Sequence, residues 1–466
     1  MNNFSGYGSQ DHASTFPQVS ATPSAPSNRR SAPGLVLPNL PQRFWEARPE
    51  LQHIRTGAHA RLCSGDVVFY SVLTRLSAFV SPNLVVETGI GTPASLNFMV
   101  ATVGVSAAGK TTGAGVGEML LPKPDFVECA EYPIGSGEGL CEAYMGMVQV
   151  ETGEYDARNR KPKTEQRKQQ VLHNALFLVD EGESLTKQKE RSAATLGPTL
   201  RSAWSGAEIG QKNASDSTTR VLKKNSYSLG LLIGFQLNTV QSTLNEIGNG
   251  MAQRFVYSSL ADPSLPDLDV EWPKTLSFNK EVLRATERTL IHPEPSIITE
   301  VRAGRREGVR TGGANVPEHD AHKSLTKIKI AGLLALLDGR QEKITEEDWE
   351  LAGIVWDTSS EVRDSLAQYG SAKIEAKKEA ATRASASKKV AENRAVTADQ
   401  AKIISLARKA SEHVAKTPAI TESALRKQFH SRYRDDVPAA IAYAETQSWI
   451  ESDESVLRPG TSRPSA

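Results

Sequence analysis

Cysteine is scarce in this chain of 466 residues: Cys63, Cys129 and Cys141 are the only three. None has C-x-x-C spacing, which argues against a zinc site and a disulfide framework and predicts reduced thiols in a cytoplasmic protein. Long apolar runs are missing too. No stretch of about 18 apolar residues occurs and no basic-then-apolar leader opens the chain, so neither a membrane span nor a secretory signal is expected. Nor does charge of one sign dominate. With 55 Lys and Arg against 54 Asp and Glu the formal charge is +1, and no global field selects a partner. Length predicts roughly two to three domains.

What the chain does have is Gly104–Thr111, GVSAAGKT, which fits G-x-x-x-x-G-K-[ST]. The apolar run Leu96–Val103 precedes it and a Thr/Gly-rich stretch able to begin a helix follows. A tight turn from strand to helix points successive backbone N–H groups inward, and these, with the helix N-terminus, cradle an anion. Gly104, Ala108, Gly109, Lys110, Thr111 and Thr112 are therefore the expected ATP contacts. Lys110 reaches the β/γ-phosphates and the Thr111 hydroxyl ligates Mg²⁺. A plain Gly/Ala-rich surface turn is the alternative.

The second half of such a site is Ala175–Asp180, an apolar strand ending in an acid, with Glu181 directly after it. An unalternating strand is buried on both faces of a parallel sheet, so Asp180 falls at the sheet's carboxyl edge, where it can hold Mg²⁺. Glu181 is placed to polarise the attacking water as general base. The pair predicts a P-loop ATPase of α/β class, of AAA+/RecA-like type, that hydrolyses nucleotide as well as binding it.

Composition divides the rest. Residues 1–34, rich in Ser, Pro, Gly, Asn and Gln, read as a disordered tail. The ATPase core with its N-terminal helices spans 35–260. It includes helix Asp66–Ala78, a strand pair at Leu84–Val86 and Leu96–Val103, and a third strand at Leu229–Phe235. A helical lid over the nucleotide occupies 261–370, with helices at Lys323–Leu337 and from Thr345, whose first turn carries Glu346, Glu347 and Asp348. Residues 371–396 form a charged linker, exposed and either helical or disordered. Residues 397–460, before a short tail at 461–466, read as three helices and a β-hairpin, the layout of a winged helix-turn-helix whose third helix enters a major groove. From residue 371 onward 17 Lys and Arg face 12 Asp and Glu, a mild basic excess. Arg426, Lys427, Arg432 and Arg434 are the expected DNA contacts, partly cancelled by Asp435 and Asp436; a protein-interaction module is the alternative.

Four further constellations are open. Gln236, or next Asn238, either senses the γ-phosphate or caps a turn. Arg254, among apolar neighbours in Gly250–Val256, is either an arginine finger acting on a neighbouring subunit's nucleotide or a salt-bridged structural residue. The polar loop Ser205–Thr219, holding Lys212 between Arg201 and Arg220, either touches nucleic acid or is a solvated surface loop. His319, Asp320 and His322 superficially suggest a metal site, but without a third clustered ligand they read as a capping segment.

These motifs resemble a family of P-loop proteins from actinobacteria, their phages and plasmids, described as helicase-like or primase-helicase-like. The resemblance covers residues 45–365. It is carried by the phosphate loop, Leu96-Asn97, Ile134–Leu140, Leu200–Trp204 with Gly206, Gly234-Phe235-Gln236, Arg254-Phe255, Ile344-Thr345 and Asp348-Trp349. The family usually has Gly where this chain has Ala107. The resemblance implies DNA replication and places Glu138 near the nucleotide. The expectation is a homo-oligomeric, ring-forming DNA motor, a helicase or helicase loader, working with a separate primase. A nucleotide-switched DNA-binding regulator or partition-like factor is the alternative.

Overall fold

In a computed structural model the described residues are 35, 37–105, 109–156, 161–182, 193–214, 219–237, 239–240, 250–314, 320–453 and 455–465. They divide into two compact units, one drawn from residues 1–235 and 250–365, the other from 236–249 and 366–466. No helix among them is long and apolar enough to cross a membrane.

The first unit is mixed α/β. Helices α1 (Gln42–Glu46), α2 (Pro49–His59) and α3 (Gly65–Phe79) open it, and every residue of α3 is buried. A helix apolar nearly all round belongs inside a core, and α3 packs against the strands of a central sheet. That sheet takes β3 (Phe98–Gly104), β4 (Cys129–Tyr132), β7 (Asn174–Val179), β10 (Ser228–Gln236) and β11 (Val256–Ser259) in the spatial order β11-β3-β10-β7-β4. Its recorded pairings, β11 with β3, β10 with β7 and β7 with β4, are all parallel. Strand β3 is buried at all seven positions, as a parallel strand covered on both faces must be.

The strand pairing expected between Leu84–Val86 and Leu96–Val103 does not form. Strand β1 (Leu84–Val86) belongs to a second sheet, antiparallel to β2 (Ala94–Ser95) and parallel to β12 (Thr289–Pro293), which pairs in turn with β13 (Lys343–Ile344). The chain changes sheets at Asn97. Its side-chain amide donates to the Ala203 carbonyl at 2.7 Å and its Oδ1 accepts from Leu229 N at 3.0 Å, so the polar residue that interrupts the run is fully satisfied in the core.

Helix α4 (Lys110–Leu120) follows the phosphate loop, α5 (Gly137–Glu142) follows β4, and α6 (Ala193–Trp204) lies between β7 and β10. Helices α7 (Pro295–Arg310) and α8 (Lys323–Leu337) come after β12. The segment expected as a lid is, at α8, part of the main core: Ile330, Leu333 and Leu337 share one apolar cluster with Leu73, Leu76 and Val86. Buried Lys329 on α8 donates to Trp204 O at 2.6 Å, Asn97 O at 3.0 Å and Ser95 Oγ at 3.3 Å. Three donors meet three acceptors, and the Trp204 ring faces the ammonium at 4.6 Å, which offsets a burial that draws the group's pKa well down.

Two hairpins stand apart from these sheets. Strands β5 (Met145–Asp156) and β6 (Lys161–Gln170) pair antiparallel, as do β8 (Ile209–Gln211) and β9 (Arg220–Leu222). The first of these hairpins is polar along β6 and along β5 beyond Val150, and exposed along most of its described length, so it carries little apolar alternation to announce it.

Helix α9 (Glu346–Lys416) is a single helix of 71 residues. At its start Thr345 and Asp348 cap each other: Asp348 N donates to Thr345 Oγ1 at 3.3 Å and Thr345 N to Asp348 Oδ2 at 2.7 Å. The first of the three helices expected within residues 397–460 is the last part of α9, because the Ala/Lys/Glu-rich run before it is itself built from strong helix formers. Beyond it the second unit adds β14 (Ile420–Thr421), α10 (Glu422–Gln428), α11 (Val437–Thr446), β15 (Ile450–Asp453) and β16 (Val456–Pro459). The sheet order is β14-β16-β15, antiparallel throughout, over a core of Leu406, Val414, Leu425, Val437, Ile441 and Leu457.

Candidate functional site

Gly109 caps helix α4 at φ +87°, a left-handed conformation that strains any side chain. Lys110 and Thr111 are the first residues of the helix, whose leading N–H groups have no partners inside it. Its first turn holds no acid, so no side chain of that turn offsets the positive end of the dipole. Across the sheet edge, Thr111 Oγ1 lies 3.3 Å from Asp180 Oδ1, just beyond the end of β7. Strand β10 lies between β3 and β7 in the sheet, and its Gly234 leaves room for the lysine stem: a Cβ there would meet Lys110 Cδ at 2.8 Å and Asp180 O at 2.7 Å.

Lys110, Thr111, Asp180 and Gly234 line one cleft of about 250 Å³. Gly109 and Thr112 line a second hollow of about 150 Å³ with Leu62, Cys63, Val67 and Leu260. A larger cavity, about 740 Å³, lies where β7 and β10 begin, against His173, Asn174 and Ser226, and holds none of these residues. We therefore take the smaller cleft as the candidate site.

Of the sequence-expected residues, Gly104 ends β3, and Gly109, Lys110, Thr111, Thr112 and Asp180 gather around the start of α4. Glu181 is exposed immediately after Asp180. Gln236 ends β10, two residues after Gly234, and its carbonyl accepts from Thr239 N at 3.1 Å, a turn contact. Ala107, Ala108, Asn238 and His319 lie outside the described residues. A hydroxyl and one carboxylate suit a magnesium ion, which keeps waters and substrate oxygens as its other ligands. No cluster of three or more metal-binding side chains occurs among the described residues.

Arg254 ends a 3-10 turn just before β11. Its Nη1 donates to Gly250 O and its guanidinium faces the Trp204 ring at 5.6 Å. No ion pair of Arg254 is found among the described residues, and its Nε is buried without a hydrogen bond. Burial and the nearby Arg201 lower its pKa. Burial and Arg254 together depress His322 to about 4, and the His322 ring packs edge-on to Trp204 at 5.2 Å. The HDAH segment thus contributes an aromatic contact at His322, with Asp320 only partly buried beside it.

Glu138 Oε2 accepts from Thr195 Oγ1 at 2.9 Å, linking α5 to α6. Glu142, four residues on, holds two cations that pattern reading passes over. Lys168 of β6 sits 2.6 Å from its Oε1 and Arg220 of β9 binds its Oε2. Only the basic run within Lys161–Lys168 hints at this in the sequence.

In the second unit the four expected DNA contacts are dispersed. Arg426 pairs with Asp435 at 2.6 Å, Arg434 donates to Phe429 O at 3.2 Å, Arg432 faces the Tyr433 ring at 4.5 Å, and Lys427 is exposed. Helix α11, the third helix, contains no Lys or Arg.

No protein-family model matches this chain, and no curated protein is similar to it. Among solved structures it is similar to a full-length MCM homologue from Methanopyrus kandleri, at 12% identity and a TM-score of 0.33. The match covers 69% of this chain and 61% of that one, so the chain spans less than two thirds of that protein's length.

Proposed function

We propose that the chain is a P-loop ATPase whose hydrolysis drives a DNA-replication motor, a helicase or helicase loader of the AAA+ type, with the C-terminal unit a winged helix. One observation carries the ATPase reading: Lys110 and Thr111 head a helix that starts from a left-handed glycine, and the Thr111 hydroxyl stands 3.3 Å from Asp180.

ATP supplies the phosphoryl group and Mg²⁺ its counter-charge. The chain's own part is positional. The leading N–H groups of α4 hold phosphate oxygens, Lys110 places its charge on the β/γ bridge, and Thr111 with Asp180 holds the metal. Glu181 accepts the proton of the attacking water, and Gln236 orients that water or the γ-phosphate. Arg254, with no ion pair among the described residues of its own subunit, stabilises charge on a neighbour's nucleotide in a homo-oligomer. Lys427, Arg432 and Arg434 contact DNA phosphates, with Arg426 held back by Asp435; a separate primase supplies primers.

ATP hydrolysis with and without single-stranded DNA tests the reading, with Lys110→Ala as the control. Stimulated hydrolysis in the wild type, and nucleotide affinity lost in a folded Lys110→Ala, support it. Affinity within about threefold of wild type in that variant sinks it, since tenfold corresponds to about 1.4 kcal/mol and threefold to less than one contact.

A further inference from the structure

Residues 1–370 carry a net charge of −4, yet within them the β5–β6 hairpin, 145–170, carries +2 and the β8–β9 hairpin, 209–222, carries +1. The basic residues of an acidic unit are therefore concentrated on the two elements that stand outside its sheets. Lys163, Arg167 and Lys212 are exposed on them, and Lys223 and Lys224 are exposed directly after β9.

The two hairpins meet at one carboxylate. Glu142 offers Oε1 to Lys168 of β6 at 2.6 Å and Oε2 to Arg220 of β9. The lysine and arginine side chains are 11% and 24% exposed and Glu142 is 43% exposed, so the acid lies on the solvent side of a recessed pair of cations. Desolvation raises the Glu142 pKa, but the bonds from Lys168 and Arg220 outweigh it and hold the group below the usual carboxylate range. A carboxylate in this role presents two oxygens to two donors as a phosphate does. With its acid this exposed, the cluster gains little from that carboxylate, and another anion can take the acid's place.

We infer that Glu142 is a displaceable counter-ion: it ties the two hairpins together at rest, and the phosphates of a single DNA strand take Lys168 and Arg220 from it. The inference rests on the DNA-motor reading and deepens it by moving a nucleic-acid contact onto the first unit. A single strand fits better than a duplex, because a flexible backbone can follow recessed cations that a stiff double helix spans.

The test is anisotropy of labelled oligo-dT and of a duplex against salt, on the full chain, with ATP hydrolysis measured in the same preparations. Glu142→Gln should bind oligo-dT about two- to fivefold more tightly, the range of an exposed ion pair. It should also steepen the log–log salt slope by roughly 1.4, two single-strand phosphate contacts. Glu151→Gln, which removes one negative charge from the β5–β6 hairpin itself, should show less than half that gain. Adding Lys168→Gln and Arg220→Gln to Glu142→Gln should abolish it. Equal gains from Glu142→Gln and Glu151→Gln, or a gain surviving the triple variant, would overturn the inference while leaving the ATPase reading intact. A larger gain on duplex would overturn the single-strand assignment. No binding of oligo-dT by any variant would sink the inference whatever the hydrolysis result, and absent hydrolysis with the expected gains would sink the motor reading alone.

Discussion

The Lys110 side chain crosses Gly234 so closely that a methyl group on that glycine would stand 2.8 Å from its Cδ. The same methyl would stand 2.7 Å from the Asp180 carbonyl, so the lysine and the acidic strand share one glycine-wide gap. Gly234→Ala should therefore lower the thermal midpoint, at a cost of about 1–3 kcal/mol typical of overpacking, and weaken ATP binding by displacing Lys110. Unchanged nucleotide affinity would mean that the lysine reaches its ligand without passing this point.

Glu181→Gln should bind ATP as wild type does and turn it over far more slowly, trapping any oligomer in its ATP form. The warrant is its place directly after Asp180, exposed at the sheet's edge. Single-turnover hydrolysis at the wild-type rate would move the base elsewhere.

Arg254→Ala should leave ATP affinity near wild type, since in the proposed role the arginine touches only the neighbour's nucleotide, yet hydrolysis by the assembled protein should collapse. Mixing Arg254→Ala with Glu181→Gln restores some interfaces with both groups intact, so partial activity should return. If co-assembly is demonstrated and no mixing ratio recovers activity, the Gly250 and Trp204 contacts are the residue's whole purpose.

Asp66 gives a pH dependence whose direction is fixed. It is 2% exposed, accepts from Leu40 N at 3.0 Å, and faces Asp262 and Arg55. Burial first, then Asp262, raises its pKa from 3.8 to about 7. Its folded value lies above the unfolded one, so the stability it contributes is present below about pH 4 and is lost as pH rises through 7. Asp66→Asn keeps an acceptor for Leu40 and cannot ionise. Its melting temperature should exceed that of wild type by more at pH 8 than at pH 5, and a gap independent of pH would place the carboxylate in a wetter setting.

In the second unit, Lys427→Gln and Arg432→Gln should each lower the salt slope of duplex binding by about 0.9, the increment for one phosphate contact. Arg426→Gln should lower it less, because Asp435 already holds that guanidinium at 2.6 Å. Equal losses at all three positions would show that the ion pair opens on binding, and no loss at any would assign the unit to a protein partner.

The sequence made local features readable. A phosphate loop is eight adjacent residues, and Ala175–Asp180 needs both faces covered wherever it lies, so strand and acid could be named together. The span of α8 was equally plain, yet its destination was not: Lys329 looks like a surface residue until Trp204, Asn97 and Ser95 supply its three acceptors from distant segments. Which strand separates β3 from β7 is likewise a matter of pairing, which periodicity does not encode. The β5–β6 hairpin left little trace because β6, and β5 beyond Val150, are polar. The cancellation of Arg426 could be suspected from Asp435 nearby, whereas the Glu142 bridge joins residues with no common pattern.

Helix α9 has a consequence for how the molecule opens. Residues 371–390 and 393–402 are exposed on every side, with Arg383 and Glu379 at 3.4 Å as a local pair. Tertiary packing supplies most helical stability in proteins, and here backbone hydrogen bonds rest on propensity alone. Their amides should exchange with deuterium through local fraying, at free energies far below those of the cores on either side. A cleavage there would sever two cooperative folding units without melting either.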